Sequence, residues 1–186
     1  MRKVIASELV SLDGVVESPE KWHCPYFNDQ MGEAIGAAMA ASDTMLLGRV
    51  TYEEFAAFWP SQEASDEDRE TTDYMNNTPK VVASKTLEEP LTWNNSTLIK
   101  GDVAEEITKL KGQRGMDISI TGSPTLVRSL LADDLLDELR LLVHPIVVGS
   151  GKRLFEDGSD QKALQLVDSK TFSTGVLYLT YQPAQS

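Results

Sequence analysis

Apolar residues fall along this chain in short bursts whose spacing alternates between two periods. Val4 to Leu9 and Thr44 to Leu47 read as buried strands. Between them Met31, Ile35, Ala38 and Met39 share one face of an alanine-rich stretch from about Asn28 to Ala41, which predicts a helix. Thr51 to Trp59 predicts a second helix. Lys80 to Ala83, Thr97 to Ile99 and Asp117 to Thr121 predict three more strands. The turn KGDVAEE leads a helix to about Lys111, and GSPTLVRSLL opens another, in which Leu126, Val127, Leu130 and Leu131 recur at helical spacing. Alternating strands and helices predict an α/β fold with a mostly parallel sheet covered on both faces. The last third changes character: LDELRLLVHPIVVG, KALQLVDSKTF and GVLYLTYQP are strand-like, and the STG turn joins the last two as an antiparallel pair.

Composition narrows the function classes. A chain of 186 residues with 41% hydrophobic and 25% charged residues is expected to fold as one globular domain over 1–186, and no repeat or linker divides it. The formal net charge of −12 and the lack of a Lys/Arg run disfavour nucleic acid and anionic membranes as partners. A small anionic ligand stays open, because local cations and amides outweigh a global charge screened beyond about 8 Å. Cys24 is the sole cysteine, which excludes an internal disulfide, and His23 and His144 lack metal-ligand spacing, so no metal is expected. Glu8 interrupts the start where a signal peptide needs an apolar run, and Arg140, His144 and Pro145 break the longest apolar patch, so a cytoplasmic location is expected. The acidic stretch 61–77, SQEASDEDRETTDYMNN, reads as a solvated helix or a lid.

Three turns carry candidate chemistry. In LLGRVTYEEF, Thr51 and Glu54 have capping-box spacing, Gly48 permits close backbone approach, and the Arg49 fork suits a phosphate at a helix N-terminus. TGSPTL repeats that logic with Gly122, Ser123 as N-cap and Pro124 in the first helical position, although an ordinary strand-to-helix turn prefers the same residues. In VVASKTL, Ser84 and Lys85 follow a third strand. The three turns together point to a phosphate-rich ligand at the strands' carboxyl ends. SLDG (11–14) is either a plain Asp-Gly turn or part of the same site, with Trp22, Tyr26 and Phe27 following as a wall for a flat ring. GSGKRLF lacks the hydroxyl and the frame of a P-loop and reads as a bend. Asp29 and Glu33 fall opposite the Met31/Ile35 face and read as solvated.

With SLDG, LLGRVTYEEF, VVASKTL, TGSPTLVRSLL and DELRLLVHPIVVGSGKRLF in this order, the chain resembles the dihydrofolate reductase superfamily over nearly its whole length. It is most similar to the reductase half of the bacterial riboflavin-biosynthesis deaminase-reductase. The resemblance implies a three-layer fold: a mixed, mostly parallel sheet with an antiparallel C-terminal strand and helices on both faces. It also implies NADPH as cofactor, with hydride transfer to a C=N or C=O carbon of a pteridine-, pyrimidine- or riboflavin-precursor-like substrate. Carried onto this chain, Gly48, Arg49 and Thr51 meet the adenosine and phosphate portion, Ser84 and Lys85 the ribose 2′-phosphate, and Gly122, Ser123 and Thr125 the pyrophosphate. Asp13 and Gly14 lie near the nicotinamide and substrate, with Asp13 as candidate catalytic residue. Folate reductases carry a carboxylate on the first helix; Gly32 stands near that position here, which argues against folate as substrate. A non-catalytic dinucleotide-binding sensor or assembly protein on the same fold is the alternative. The relatives' dimeric habit and the apolar LRLLVHPIVVG run lead to the expectation of a homodimer.

Overall fold

Strand β1 (Val4–Ser11) is an eight-residue central strand, with six positions fully buried. In the computed structural model, which describes residues 1–62 and 68–184, β1 pairs in parallel with β5 (Asp117–Thr121) on one side and β6 (Glu138–His144) on the other. Beyond β5 lie β2 (Ser42–Gly48), β3 (Lys80–Ala83) and β4 (Ser96–Leu98), all parallel. Beyond β6 lie β8 (Leu177–Pro183) and the edge strand β7 (Leu164–Thr171), both antiparallel to their neighbours, giving the order β4-β3-β2-β5-β1-β6-β8-β7. This is the expected mixed sheet. A strand buried on both faces has no polar alternation to show, which is why β1 and β2 read as bursts.

Helices cover both faces. Val4 and Ala6 of β1 and Ile118 and Ile120 of β5 pack in one cluster with Ile107 of α4 (Val103–Gly112) and Leu126, Val127 and Leu130 of α5 (Pro124–Ala132). On the opposite face Met31 of α1 (Asp29–Ala40) meets Leu142, Phe172 and Val176. There too Tyr52 of α2 (Arg49–Phe58) and Met75 of α3 (Arg69–Asn77) pack with Met45, Leu47, Val82 and Trp93. At about 25 cal/mol per Å², each such fully buried aliphatic side chain contributes roughly 1.5–3 kcal/mol.

Several expectations need correction. The helix expected from Thr51 starts at Arg49, with Gly48 as a cap residue that makes no side-chain bond. The acidic stretch is not wholly solvated: α3 buries Thr72 and Met75, while residues 63–67 lie outside the described residues. Of the expected α1 face, Met31 alone is fully buried. The first part of the run LRLLVHPIVVG lies in β6, an interior strand whose Leu139 and Leu142 are covered by their own chain, while Val147, in the loop after it, is exposed.

Candidate functional site

Every parallel strand ends at one edge of the sheet, and the expected turns stand there side by side. In spatial order the carboxyl ends belong to β3, β2, β5, β1 and β6, so Ser84–Lys85, Gly48–Arg49, Gly122–Ser123 and the SLDG loop follow one another. Strands lie about 4.8 Å apart, so the step from the Ser84 turn to SLDG spans roughly 14 Å.

Two of these turns are locked together. Ser123 caps no amide of its own helix; it sits in the left-handed region at φ 58°, and its hydroxyl accepts from the Gly48 amide at 2.9 Å. Thr51, expected as a cap, instead accepts the Ser123 amide through its hydroxyl at 2.9 Å. The glycines suit this contact: a Cβ on Gly48 would crowd the Ser123 hydroxyl oxygen at 3.3 Å, and one on Gly122 would crowd Thr51 at 3.2 Å from a backbone at φ 70° that disfavours a side chain. The exchanged bonds leave the first amides of α2 and α5, which have no intrahelical acceptor, at the same edge. Arg49 is exposed and paired with Glu53 at 2.8 Å, and Lys85 is exposed. The Ser84 hydroxyl accepts from the amides of Thr86 and Leu87 at 3.1 and 3.0 Å, which shapes its turn. Thr125 is exposed, its hydroxyl accepting from Arg128 at 3.2 Å.

SLDG is tied to the segment after β6. Asp13 accepts from the Ser11 hydroxyl at 2.6 Å, from the Val148 amide at 3.0 Å and from the Gly149 amide at 2.8 Å. The Ser11 hydroxyl and those two amides hold its carboxyl down at about 2. An acid so held has no proton to deliver near neutral pH, so the geometry makes Asp13 a clasp between two loops. Gly14, at φ 86°, continues the turn, and Arg153 donates through Nε to the Asp13 carbonyl at 3.0 Å. GSGKRLF is the bend it reads as: Gly149 and Gly151 take φ 87° and 120°, and Arg153 bridges back to Val15.

The aromatic wall is only partly open. Phe27 is exposed and Tyr26 half-buried, but Trp22 is buried and meets His144 edge-on, with ring centres 5.2 Å apart. Trp22 also borders a cleft of about 440 Å³ between 17–22 and 146–151. The two histidines, far apart in sequence, lie 5.8 Å apart between ring centres. Among the described residues no group of three or more His, Cys, Asp or Glu is placed to hold a metal. Asp29 and Glu33 are exposed, as read.

Sequence reasoning gave no role to Glu8 or Tyr74. Glu8 is 3% exposed in the middle of β1, burial pushes its carboxyl well above the ordinary range, and its Oε1 has no hydrogen-bond partner. Its one signal was a charge inside an apolar strand. The Tyr74 hydroxyl, reaching from α3, lies 2.6 Å from the Ser42 hydroxyl and 3.1 Å from that of Ser119. Beside it, Ser42, Ser119, Ser7 and Arg140 line a water-sized cavity of about 10 Å³ under α1.

The model of the RibD C-terminal domain matches residues 2–178. The chain belongs to the RibD C-terminal domain family. Among curated proteins it is 32% identical over 183 residues to the uncharacterized Bacillus subtilis protein YyaP, covering 97% of this chain and 94% of that one. A Shewanella sp. PV-4 protein with a riboflavin-biosynthesis designation superposes with a TM-score of 0.76 at 21% identity, covering 98% and 99% of the two chains. Dihydrofolate reductase from Enterococcus faecalis, solved with NADP(H), superposes with a TM-score of 0.64 at 16% identity, covering 98% and 97%. Acinetobacter baumannii RibD superposes with a TM-score of 0.66 at 18% identity, all of this chain matching 59% of that one. This RibD C-terminal domain member therefore has the dihydrofolate reductase fold. No helix among its described residues is long and apolar enough to cross a membrane.

Proposed function

We propose that the protein is an NADPH-dependent reductase of a small pteridine-, pyrimidine- or riboflavin-precursor-like heterocycle. The observation that carries this reading is the row of turns at one sheet edge, with Gly48, Thr51, Gly122 and Ser123 interlocked; that arrangement suits an anionic ligand shared by two helix N-termini. The fit is chemical: free amides and the exposed cations Arg49 and Lys85 suit phosphates, and a length of roughly 14 Å from the Ser84 turn to SLDG suits an extended dinucleotide. In this reading Arg49, Thr51 and the α2 amides hold the adenosine phosphate end, Ser84 and Lys85 the 2′-phosphate, and Gly122, Ser123 and Thr125 the pyrophosphate. The bound cofactor supplies a hydride. The chain binds, orients and excludes water: Trp22, Tyr26 and Phe27 wall the substrate ring, and Asp13 with Gly14 fixes the loop beside it. A panel of pteridines, aminopyrimidines and flavins screened for substrate-dependent NADPH oxidation tests it; oxidation with none of them contradicts the reductase reading.

One observation favours the alternative of a dinucleotide-binding protein without turnover: Asp13 is ionised and fully engaged, and both α1 carboxylates are exposed. NADPH binding without oxidation of any panel member would select it.

The expected homodimer belongs to this proposal, with the β7–β8 edge in place of β6. Leu166, Val167 and Leu177 are exposed there, and antiparallel pairing of two β7 strands about Ser169 sets Asp168 opposite Lys170 of a second copy. Light scattering at micromolar concentration should give twice the chain mass; a monomer mass refutes it.

A further inference from the structure

His144 ends β6 opposite Ser11 of β1 and is fully buried. Its Nδ1 lies 2.7 Å from the Leu142 carbonyl oxygen, which can only accept, so the ring proton sits on Nδ1 and Nε2 is a bare acceptor. That Nε2 is enclosed and has no partner. Three rings of the 15–27 segment meet the His144 ring edge-on: Trp22, Tyr26 at 5.7 Å and His23 at 5.8 Å between centres. The His23 Nδ1 is enclosed and unpartnered as well. Two imidazoles thus touch inside an aromatic cage, each with a nitrogen that nothing satisfies, and no carboxylate is bonded to either.

Few charges face the pair. On the covering segment Glu20 favours a proton on His23, while the Glu17 carboxylate is engaged by the Lys152 amide at 3.2 Å. Burial of His144 outweighs the Leu142 and Val10 backbones, which favour a proton on it; on β1 the Ser11 hydroxyl is bonded to Asp13, and on α1 Met31 is apolar and buried in the same layer. The segment itself is held by short turns at Pro19–Lys21 and Cys24–Tyr26 and by the Trp22 Nε1 donating to the Glu17 carbonyl at 3.1 Å.

We propose that His144 is a positioning residue for the reductase site, holding Trp22 and Tyr26 in place while both imidazoles are neutral, so that acid releases the 15–27 segment and disables the substrate end. The inference rests on the reductase reading for its consequence, but its geometry does not. A proton on Nε2 puts a cation on a buried ring whose Nε2 has no hydrogen-bond partner, and a second proton on His23 adds like-charge repulsion. Burial pushes both imidazoles below their ordinary value of 6.5, and for His23 the charge of His144 adds to that. Since the unfolded rings bind protons first, the cage is stable above about pH 6.5 and loses stability as pH falls through the lower folded values.

The test is an NMR titration of the imidazole protons from about pH 8 to about pH 4.5, run alongside tryptophan emission, with Trp22→Phe identifying the Trp22 signal among the three tryptophans. Both histidines should titrate below 6.5, and Trp22 emission should shift to the red in step with His144. His144→Phe keeps a ring in the cage and should abolish the step, whereas a purely structural ring would leave Trp22 behaving as in wild type. His144→Phe should also raise the His23 midpoint, because the charge that opposes the His23 proton is gone. A His144 midpoint at or above 6.5, meaning that the surrounding ring faces stabilise the cation, overturns the proposal. So does a Trp22 signal that is constant through both titrations, or a step that persists in His144→Phe. If His144→Phe does not fold, the wild-type titration decides alone. None of these readouts uses a cofactor, so failure of the reductase reading leaves them standing; if that reading holds, turnover should fall with the same midpoint.

Discussion

Replacing Glu8 should make the protein more stable, by an amount that depends on pH in a defined direction. The carboxyl lies on the central strand, flanked on its face by Ala6 and Val10 and paired laterally with Leu141, and it has neither a hydrogen bond nor an ion pair among the described residues. Leaving such a group buried and unsatisfied costs about 1–3 kcal/mol even when neutral. Burial raises its folded pKa well above 4.5. Above that value the unfolded chain has lost the proton that the folded chain keeps, so stability falls as pH rises, by up to about 1.4 kcal/mol per pH unit, until the folded carboxyl ionises. Glu8→Gln keeps the shape and cannot titrate, so it should remove this slope. Glu8→Leu should also remove the unsatisfied group, gaining about 1–3 kcal/mol near neutral pH, which for a chain of this size raises Tm by roughly 2–4 °C per kcal/mol. Urea unfolding of wild type and both variants at about pH 5 and about pH 8, followed by circular dichroism, measures both terms. A Glu8→Leu variant less stable than wild type at the higher pH, or a slope unchanged in Glu8→Gln, would refute the reasoning and assign the carboxyl a partner.

Asp13→Ala should release the amides of Val148 and Gly149, seen as faster hydrogen exchange at those two positions with the rest of the sheet unchanged; equal protection in the variant would remove the clasp. Because the Asp13 carboxyl is held at about 2, the wild-type clasp should be fully present above about pH 4 and be lost as pH falls through 2. Ser123→Ala strands the Gly48 amide and should cost about 0.5–1.5 kcal/mol in urea unfolding, with weaker dinucleotide binding as the second readout; no change in either would mean that the two turns are not coupled.

The alternation of strands and helices was legible because apolar bursts of strand length and helical periods follow one another, and the turn residues Gly48, Gly122 and Pro124 punctuate them where the structure does. The partners of those turn residues were not legible. Thr51 and Ser123 carry the composition of caps, yet each hydroxyl bonds across to the other turn, 72 or 75 residues away, because the order of strands brings β2 beside β5. Lys80 shows the same limit: nothing in a lysine that opens a strand announces burial, yet it is 1% exposed, with Nζ donating to the carbonyls of Asn76, Thr78 and Asn94 and lying 4.2 Å over the Trp93 ring. Burial pulls it down to about 8, and those contacts suit its charged form. LRLLVHPIVVG suggested a partner because an apolar strand looks the same whether its own sheet or a second chain covers it. The proximity of His144 to Trp22 and His23 depends on β6 lying beside β1, which no local pattern announces.

Calorimetric titration with NADPH and NADH at fixed salt, on wild type, Arg49→Ala and Lys85→Ala, tests the central claim most directly. Charge-assisted bonds to phosphate are worth roughly 1.5–3 kcal/mol, so each variant should bind NADPH about 10- to 100-fold more weakly. NADH should lose less wherever the missing partner was the 2′-phosphate. Failure of the wild type to bind NADPH, or unchanged NADPH affinity in both variants, would contradict the cofactor assignment and leave the row of turns a purely structural edge.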